Sequence, residues 1–222
     1  MNLTFGIMTT YDNIEQLWEV IHSIEQLHVP NAEIIIVGSY GKFDADIIPD
    51  FEGRGISIRQ ILTDGWLPKK KNLVAKFALH DTLVLLHDYY LFDPSWYARW
   101  VAFNKHMTWD VASNAQYLLN GKRHFTDWVI WDHPTLPRYH SLGYQDWVHT
   151  QHQYISGGFF LVRRDFLRQY PINETMPPGS PEDVEWSLRI RDRGVLCCNG
   201  LAIVRHNKVH RDTGRSGFPY EQ

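Results

Sequence analysis

Two short apolar runs constrain the fold more than any other feature. Glu33–Val37 (EIIIV) and Thr82–Leu86 (TLVLL) are continuously apolar instead of alternating, and each ends abruptly in polar or glycine residues. A strand with one wet face alternates, so an unbroken run of this length reads as a strand buried on both faces. Ahead of the first run, Leu3–Met8 reads as another strand. Between them Ile14, Leu17, Trp18, Ile21, Ile24 and Leu27 recur at helical spacing over Asn13–Leu27. Strand, helix, strand is the βαβ unit, whose crossover is right-handed in nearly all proteins. The expectation is an α/β fold with a mostly parallel central sheet flanked by helices.

The remaining pattern continues this theme. Ile56–Leu62 is a fair strand after the turn-rich stretch 38–55. Lys69–Leu79 and Pro94–His106 read as helices, and Trp109–Ala115 and Tyr154–Arg163 as strands. Arg164–Tyr170 is a short helix, Pro181–Arg193 a helix capped by Ser180 with Pro181 at its first position, and Leu201–Val204 a last strand. Residues 116–153 form a long irregular span dense in aromatics and histidine, the kind of segment that is usually functional or mobile. The 222 residues contain no repeat or linker and fit one domain.

Composition removes several classes of function. With 22 Lys plus Arg against 25 Asp plus Glu, the chain has no basic excess for a phosphate backbone, so bulk nucleic-acid binding is not expected. The two cysteines, Cys197 and Cys198, are adjacent, where a disulfide is strained, so a reducing compartment is the natural reading. No run approaches the roughly 18 apolar residues of a membrane span, and Asp12, Glu15 and Glu19 interrupt the N-terminal apolar stretch. A cytoplasmic protein, free or peripheral to a membrane, is expected.

Four groups of residues are candidates for chemistry. His87-Asp88 ends the TLVLL strand, where open α/β sheets bind ligands, and His206 and His210 follow the last strand. A lone histidine among twelve is ordinarily a surface residue; a carboxylate at such a strand end is less easily dismissed. Glu182, Asp183 and Glu185 crowd a helix start. Helix-dipole complementarity accounts for one of them, but the Pro-Pro-Gly-Ser-Pro bend before Glu182 and Asp183 aims those two off the helix end, as a general base requires. Gly157-Gly158 begins an otherwise bulky strand and points to a bulge or a close backbone approach. Trp128, Trp131 and Trp147 lie in polar company. Each alone suggests packing, and together they suit stacking against a sugar.

In order, the chain presents Thr9-Thr10-Tyr11 after a strand, EIIIVGS, Asp64-Gly65 before a Lys-Asn-containing helix, LLHDYYLFDPSW, ISGGFFLVRRDF, SPEDVEWSLRIRDRG and a late histidine. This series resembles the glycosyltransferase family 2 type of GT-A glycosyltransferase over nearly the whole chain. The resemblance implies a single GT-A (Rossmann-like) domain, with residues 1–115 as the nucleotide-sugar-binding half and 116–222 as the acceptor and catalytic half. It implies a UDP- or GDP-linked sugar donor, a carbohydrate-containing acceptor and a divalent Mn²⁺ or Mg²⁺ ion. The donor would be met by Thr9, Thr10, Tyr11, Ser39, Asp64, Lys71, Asn72, His87, Gly157 and Gly158, with Lys71 and Asn72 near the base. Trp128, Trp131 and Trp147 would face the acceptor. Asp183 matches the base of inverting members, with Glu182 as neighbour or substitute.

The sequence also departs from that pattern. Counting back from Pro94, the two aspartates of the family's DXD motif fall on His87 and Tyr89, so the metal is assigned to Asp88 with help from His87, and to His206 or His210 as the late ligand. The acidic pair that usually precedes Gly-Ser at the end of the second strand is missing from Val37-Gly38-Ser39. Three other readings compete. A nucleotidyltransferase usually carries a Gly-rich basic loop after the first strand, which Thr9–Asn13 lacks. A non-catalytic nucleotide-sugar-binding scaffold would suit the altered DXD. A zinc hydrolase built on His206-x-x-x-His210 would need a helix there.

Overall fold

The structure, a computed structural model, describes residues 1–39 and 56–207; His210, and the turn-rich reading beyond residue 39, lie outside them. The described chain runs β1 (Thr4–Met8), α1 (Ile14–Glu25), β2 (Glu33–Gly38), β3 (Ser57–Leu62), α2 (Leu67–Phe77), β4 (Thr82–His87), β5 (Tyr90–Phe92) and α3 (Trp96–Asn104). It continues with β6 (Val111–Leu118), β7 (Val129–Ile130), a 3₁₀ turn (Thr150–His152), β8 (Gln153–Tyr154), β9 (Phe159–Arg163), α4 (Arg164–Gln169), α5 (Glu182–Ile190) and β10 (Leu196–His206). Eight strands form one sheet in the order β3-β2-β1-β4-β9-β6-β10-β5, while β7 and β8 pair separately. Neighbours are parallel from β3 through β4 and between β6 and β10. Only β9 and β5 run against them.

Both faces of the sheet are dry at β1, β2 and β4, as the unbroken apolar runs demand. Phe5, Ile7, Ile34, Ile36, Val84 and Leu86 pack on one side against Leu17, Val20, Ile21 and Ile24 of α1 and Trp96 and Trp100 of α3. Ile35, Val37, Leu83 and Leu85 face the other way, onto Val74 and Ala75 of α2, Leu167 of α4 and Trp186 of α5. Asn13 caps α1 by accepting a hydrogen bond from the Gln16 amide at 3.0 Å.

Several elements differ from the sequence reading, each for a local reason. Helix α5 starts one residue later than predicted: Pro181 is its cap, no side chain caps it, and the Ser180 carbonyl accepts from Glu182 N–H. The predicted strand Tyr154–Arg163 is two strands, because Ser156-Gly157-Gly158 turns the chain between them. β10 is far longer than Leu201–Val204, since it tolerates a register shift between Asn199 and Ile203 where the polar Asn-Gly pair masks the pattern. β5, only three residues long, carries no period to detect. Cys197 and Cys198 are buried, unbridged residues of β10. No helix of the described residues is long and apolar enough to cross a membrane.

Gly6 shows how tightly the centre is packed. A Cβ there would lie 2.6 Å from Val74 Cγ1 and 2.8 Å from Leu85 Cδ2, so α2 sits on β1 only because residue 6 lacks a side chain. Gly6→Ala is expected to lower unfolding stability by about 1–3 kcal/mol through overpacking, read as a lower denaturant midpoint with unchanged slope.

Candidate active site

The registers bring the candidate residues to one edge of the sheet. Met8 pairs with His87, Leu86 with Phe159, and His206 with both Tyr90 and Leu118. The carboxyl ends of β1, β2, β4, β6 and β10 and the start of β9 therefore lie together, which collects Thr9, Ser39, His87, Asp88, Gly157, Gly158 and His206. Open α/β sheets bind ligands at this edge, outside the carboxyl ends of their strands.

At the β1–β2 end the key cation is Lys70, which the sequence reading missed. Its Nζ donates to the Thr9 carbonyl at 2.7 Å and to Ser39 Oγ at 3.3 Å. Burial pushes its ammonium below the usual lysine range, and the nearby Asp88 carboxylate opposes that shift. Lys71 and Asn72, placed near the base by resemblance, point elsewhere. Successive helix residues are turned by about 100°, so one lysine of the run reaches β1, the next reaches α5, and Asn72 ties down the chain before α5. The Asn72 side chain donates to the Ile172 carbonyl and accepts from the Ile172 amide. Phasing the helix on Val74 and Ala75 would have separated Lys70 from Lys71. Thr10 is exposed and bonded to Asp12, and Asp64 is exposed on the turn after β3. Tyr11 is buried against Gly38, with its hydroxyl accepting from Gln60 Nε2.

At the end of β4, Asp88 is half-buried, and its Oδ2 accepts from Thr9 Oγ1 at 2.5 Å. Burial raises its carboxyl above the usual range, against the pull of the Thr9 hydrogen bond and of Lys70. The charge is thus only partly compensated by groups of the protein. His87 Nδ1 lies 2.7 Å from the Tyr89 hydroxyl, and the His206 ring lies 4.6 Å from Tyr89 and stacks on His124 at 4.8 Å. Among the described residues no three His, Cys, Asp or Glu side chains enclose an ion by themselves. An Mg²⁺ or Mn²⁺ ion on a diphosphate needs only one or two protein groups, and Asp88 fits as one of them. Because β10 is a strand through His206, the helical face required by the hydrolase reading is absent at that residue.

The two glycines join this end to α5. The Gly158 carbonyl accepts from His87 N–H at 3.0 Å, while Gly157 N–H donates to Asp183 Oδ2 at 2.8 Å. A Cβ at residue 157 would stand 2.8 Å from Lys71 Nζ and 3.0 Å from Asp183 Cβ; one at 158 would stand 2.8 Å from the Tyr90 hydroxyl. Burial raises the Asp183 carboxyl above its usual range, Glu182 pushes it the same way, and Gly157 and Lys71 oppose. Glu182 is itself buried, and its Oε1 accepts from Lys71 Nζ at 3.0 Å. The adjacent carboxylates thus differ: one is held by a buried ammonium, the other by the backbone amides of Gly157 and Val184.

Trp128 of the aromatic span is not a stacking face: it is fully buried, and its indole N–H donates to the Asp146 carbonyl. Trp131 is half-buried, with the Arg138 guanidinium over its ring and Tyr139 and Tyr154 at its edge. Trp147 is 39% exposed, which leaves much of its ring open. The span is anchored by the buried Asp127, which accepts from Arg123, the Tyr144 hydroxyl and the Trp128 amide.

No family model and no curated protein matches the chain. Solved structures do. The S. aureus TarS 1–349 complex with UDP-GlcNAc superposes over 98% of this chain with a TM-score of 0.69 and 13% identity. GalNAc-T7 with UDP, GalNAc and Mn²⁺ covers 99%, with a TM-score of 0.70 and 18% identity. A putative glucose-1-phosphate thymidylyltransferase from Bacillus anthracis, in complex with a sucrose, covers 91% with a TM-score of 0.54 and 14% identity. The chain spans 62% of that TarS chain and 45% of the GalNAc-T7 chain. The fold is that of a GT-A glycosyltransferase-like α/β domain.

If Asp127 anchors the span, Asp127→Asn, which strands the Arg123 charge, should lower stability by about 3 kcal/mol. Chemical denaturation with a two-state fit measures it.

Proposed function

We propose that the protein is a metal-dependent glycosyltransferase that moves a sugar from a nucleoside-diphosphate donor to a carbohydrate-containing acceptor with inversion at the anomeric carbon. The observation that carries this reading is the Gly157-Gly158 bridge, with the Asp88 strand end on one side and the Asp183 helix start on the other. A donor diphosphate fits the first side, near Lys70, Thr9 and Asp88, and an acceptor hydroxyl fits the second. A divalent ion on Asp88, with His87 or His206 beside it, would neutralise the charge that gathers on the leaving diphosphate. Asp183 takes the proton from the acceptor hydroxyl as its oxygen bonds to the anomeric carbon, and the nucleoside diphosphate departs from the opposite face. Glu182, bound to Lys71, is poorly placed for that role. The UDP and UDP-GlcNAc held by the TarS and GalNAc-T7 structures make a UDP-linked donor the first to test. The fold is shared with a thymidylyltransferase, but Thr9–Asn13 lacks the glycine-rich basic loop expected of that chemistry.

Thermal-shift titration tests the donor side. UDP with Mn²⁺ should stabilise the protein by RT ln(1 + [L]/Kd), and Asp88→Ala should abolish the Mn²⁺-dependent part while leaving the fold intact. Unchanged Mn²⁺-dependent affinity in that variant removes Asp88 from the site.

The acceptor side is tested by Asp183→Asn, which should lose about 10²- to 10⁴-fold in turnover with donor binding retained. Stability provides an independent check. Because the folded carboxyl titrates above its unfolded value, the native state holds the extra proton, and the stability cost of ionising it grows as pH rises through that window. Stability of Asp183→Asn relative to wild type should therefore increase as pH rises above about 4. Equal pH dependence of the two proteins argues against a raised carboxyl, and product of retained configuration argues against single displacement.

A further inference from the structure

Lys71 and Glu182 make a deeply buried ion pair at the sheet edge, with the Lys71 ammonium turned to α5 and not to Thr9 and Asp88. Lys71 is fully buried on α2 and Glu182 opens α5, more than a hundred residues later. The ammonium lies 5.7 Å from the centre of the buried Phe160 ring, and the alternative to a pair so placed is an apolar one. A buried pair rarely adds stability over such a replacement, so packing alone does not account for it. What an apolar pair lacks is charge beside Asp183. The pair also closes on Gly157, where a Cβ would stand 2.8 Å from Lys71 Nζ and 3.1 Å from Glu182 Oε1.

We propose that Lys71 and Glu182 are positioning residues for the proposed base: they clamp the start of α5 onto Gly157 and impose opposed fields on the Asp183 carboxylate. This rests on the reading of Asp183 as the base. The groups facing Asp183 are the Gly157 amide from the turn before β9, the ammonium of Lys71 from α2, its neighbour Glu182 on α5 and the phenol of Tyr154 on β8. Burial and the Gly157 hydrogen bond act most strongly on the Asp183 carboxyl; on top of them Glu182 opposes the ionised form and Lys71 favours it.

The two charges have opposite signs, so their removal has opposite effects. In protein labelled at its aspartate carboxyl carbons, the Asp183 resonance is identified by its loss in Asp183→Asn and followed by NMR against pH. Glu182→Gln should move its midpoint down, Lys71→Met should move it up, and the double variant should return it toward wild type. In the transfer assay, Lys71→Met should lose about tenfold in rate on the acid side of the pH profile, with KM for donor unchanged, while Glu182→Gln gains there. If Lys71→Met does not fold, Glu182→Gln against the double variant still isolates Lys71. Shifts in the same direction, or none, overturn the proposal. A wild-type protein that transfers no sugar overturns the reading of Asp183 as base, and the titration still decides the pair.

Discussion

A sheet buried on both faces leaves polar chemistry only one place to go. Every side chain of β1 is buried, as is every one of β2 and all but the last of β4, and the helices that cover them seal the faces. Backbone groups in the strands are satisfied by the ladder; just past the strand ends side chains take part, as Lys70 does at the Thr9 carbonyl and Asp183 at the Gly157 amide. The registers then do the rest, because strands that pair in parallel bring their ends to a common edge. The site is a consequence of the dry sheet rather than an addition to it.

Charge is handled differently in the body of the fold and at that edge. Buried Glu33 is held by Arg59, the Thr4 hydroxyl and the Leu79 amide, and buried Asp127 by Arg123, Tyr144 and the Trp128 amide. These carboxylates have partners on several sides and serve as anchors. Asp88 and Asp183, by contrast, are pushed up chiefly by burial and only partly compensated. Groups left in that condition are expensive unless a ligand or a reaction uses them, which is why perturbed carboxylates in a cleft mark candidate sites.

Two glycines and a turn hold the halves of the site in register. Because Gly158 accepts from His87 and Gly157 donates to Asp183, a displacement of this turn moves both ends together. A side chain at either position would crowd a neighbour, the Lys71 ammonium at 157 and the Tyr90 hydroxyl at 158, so the pair matters sterically as well as through hydrogen bonds. In the sequence it was visible only as a weakness in an otherwise bulky strand.

The sequence by itself determined the layered α/β architecture, because continuous apolar runs and helical spacing are local properties that survive any arrangement of the rest. It also put Asp88 at a strand end and Asp183 at a helix start, since strand ends and helix starts can be read from neighbours in the chain. Tertiary structure decided which way those groups face. Lys70 rather than Lys71 reaches Thr9, Glu182 is taken up by an ammonium from the other half of the chain, and Trp128 is spent in the core. Helix phase relative to distant strands, and pairing across more than a hundred residues, depend on contacts that no local pattern encodes.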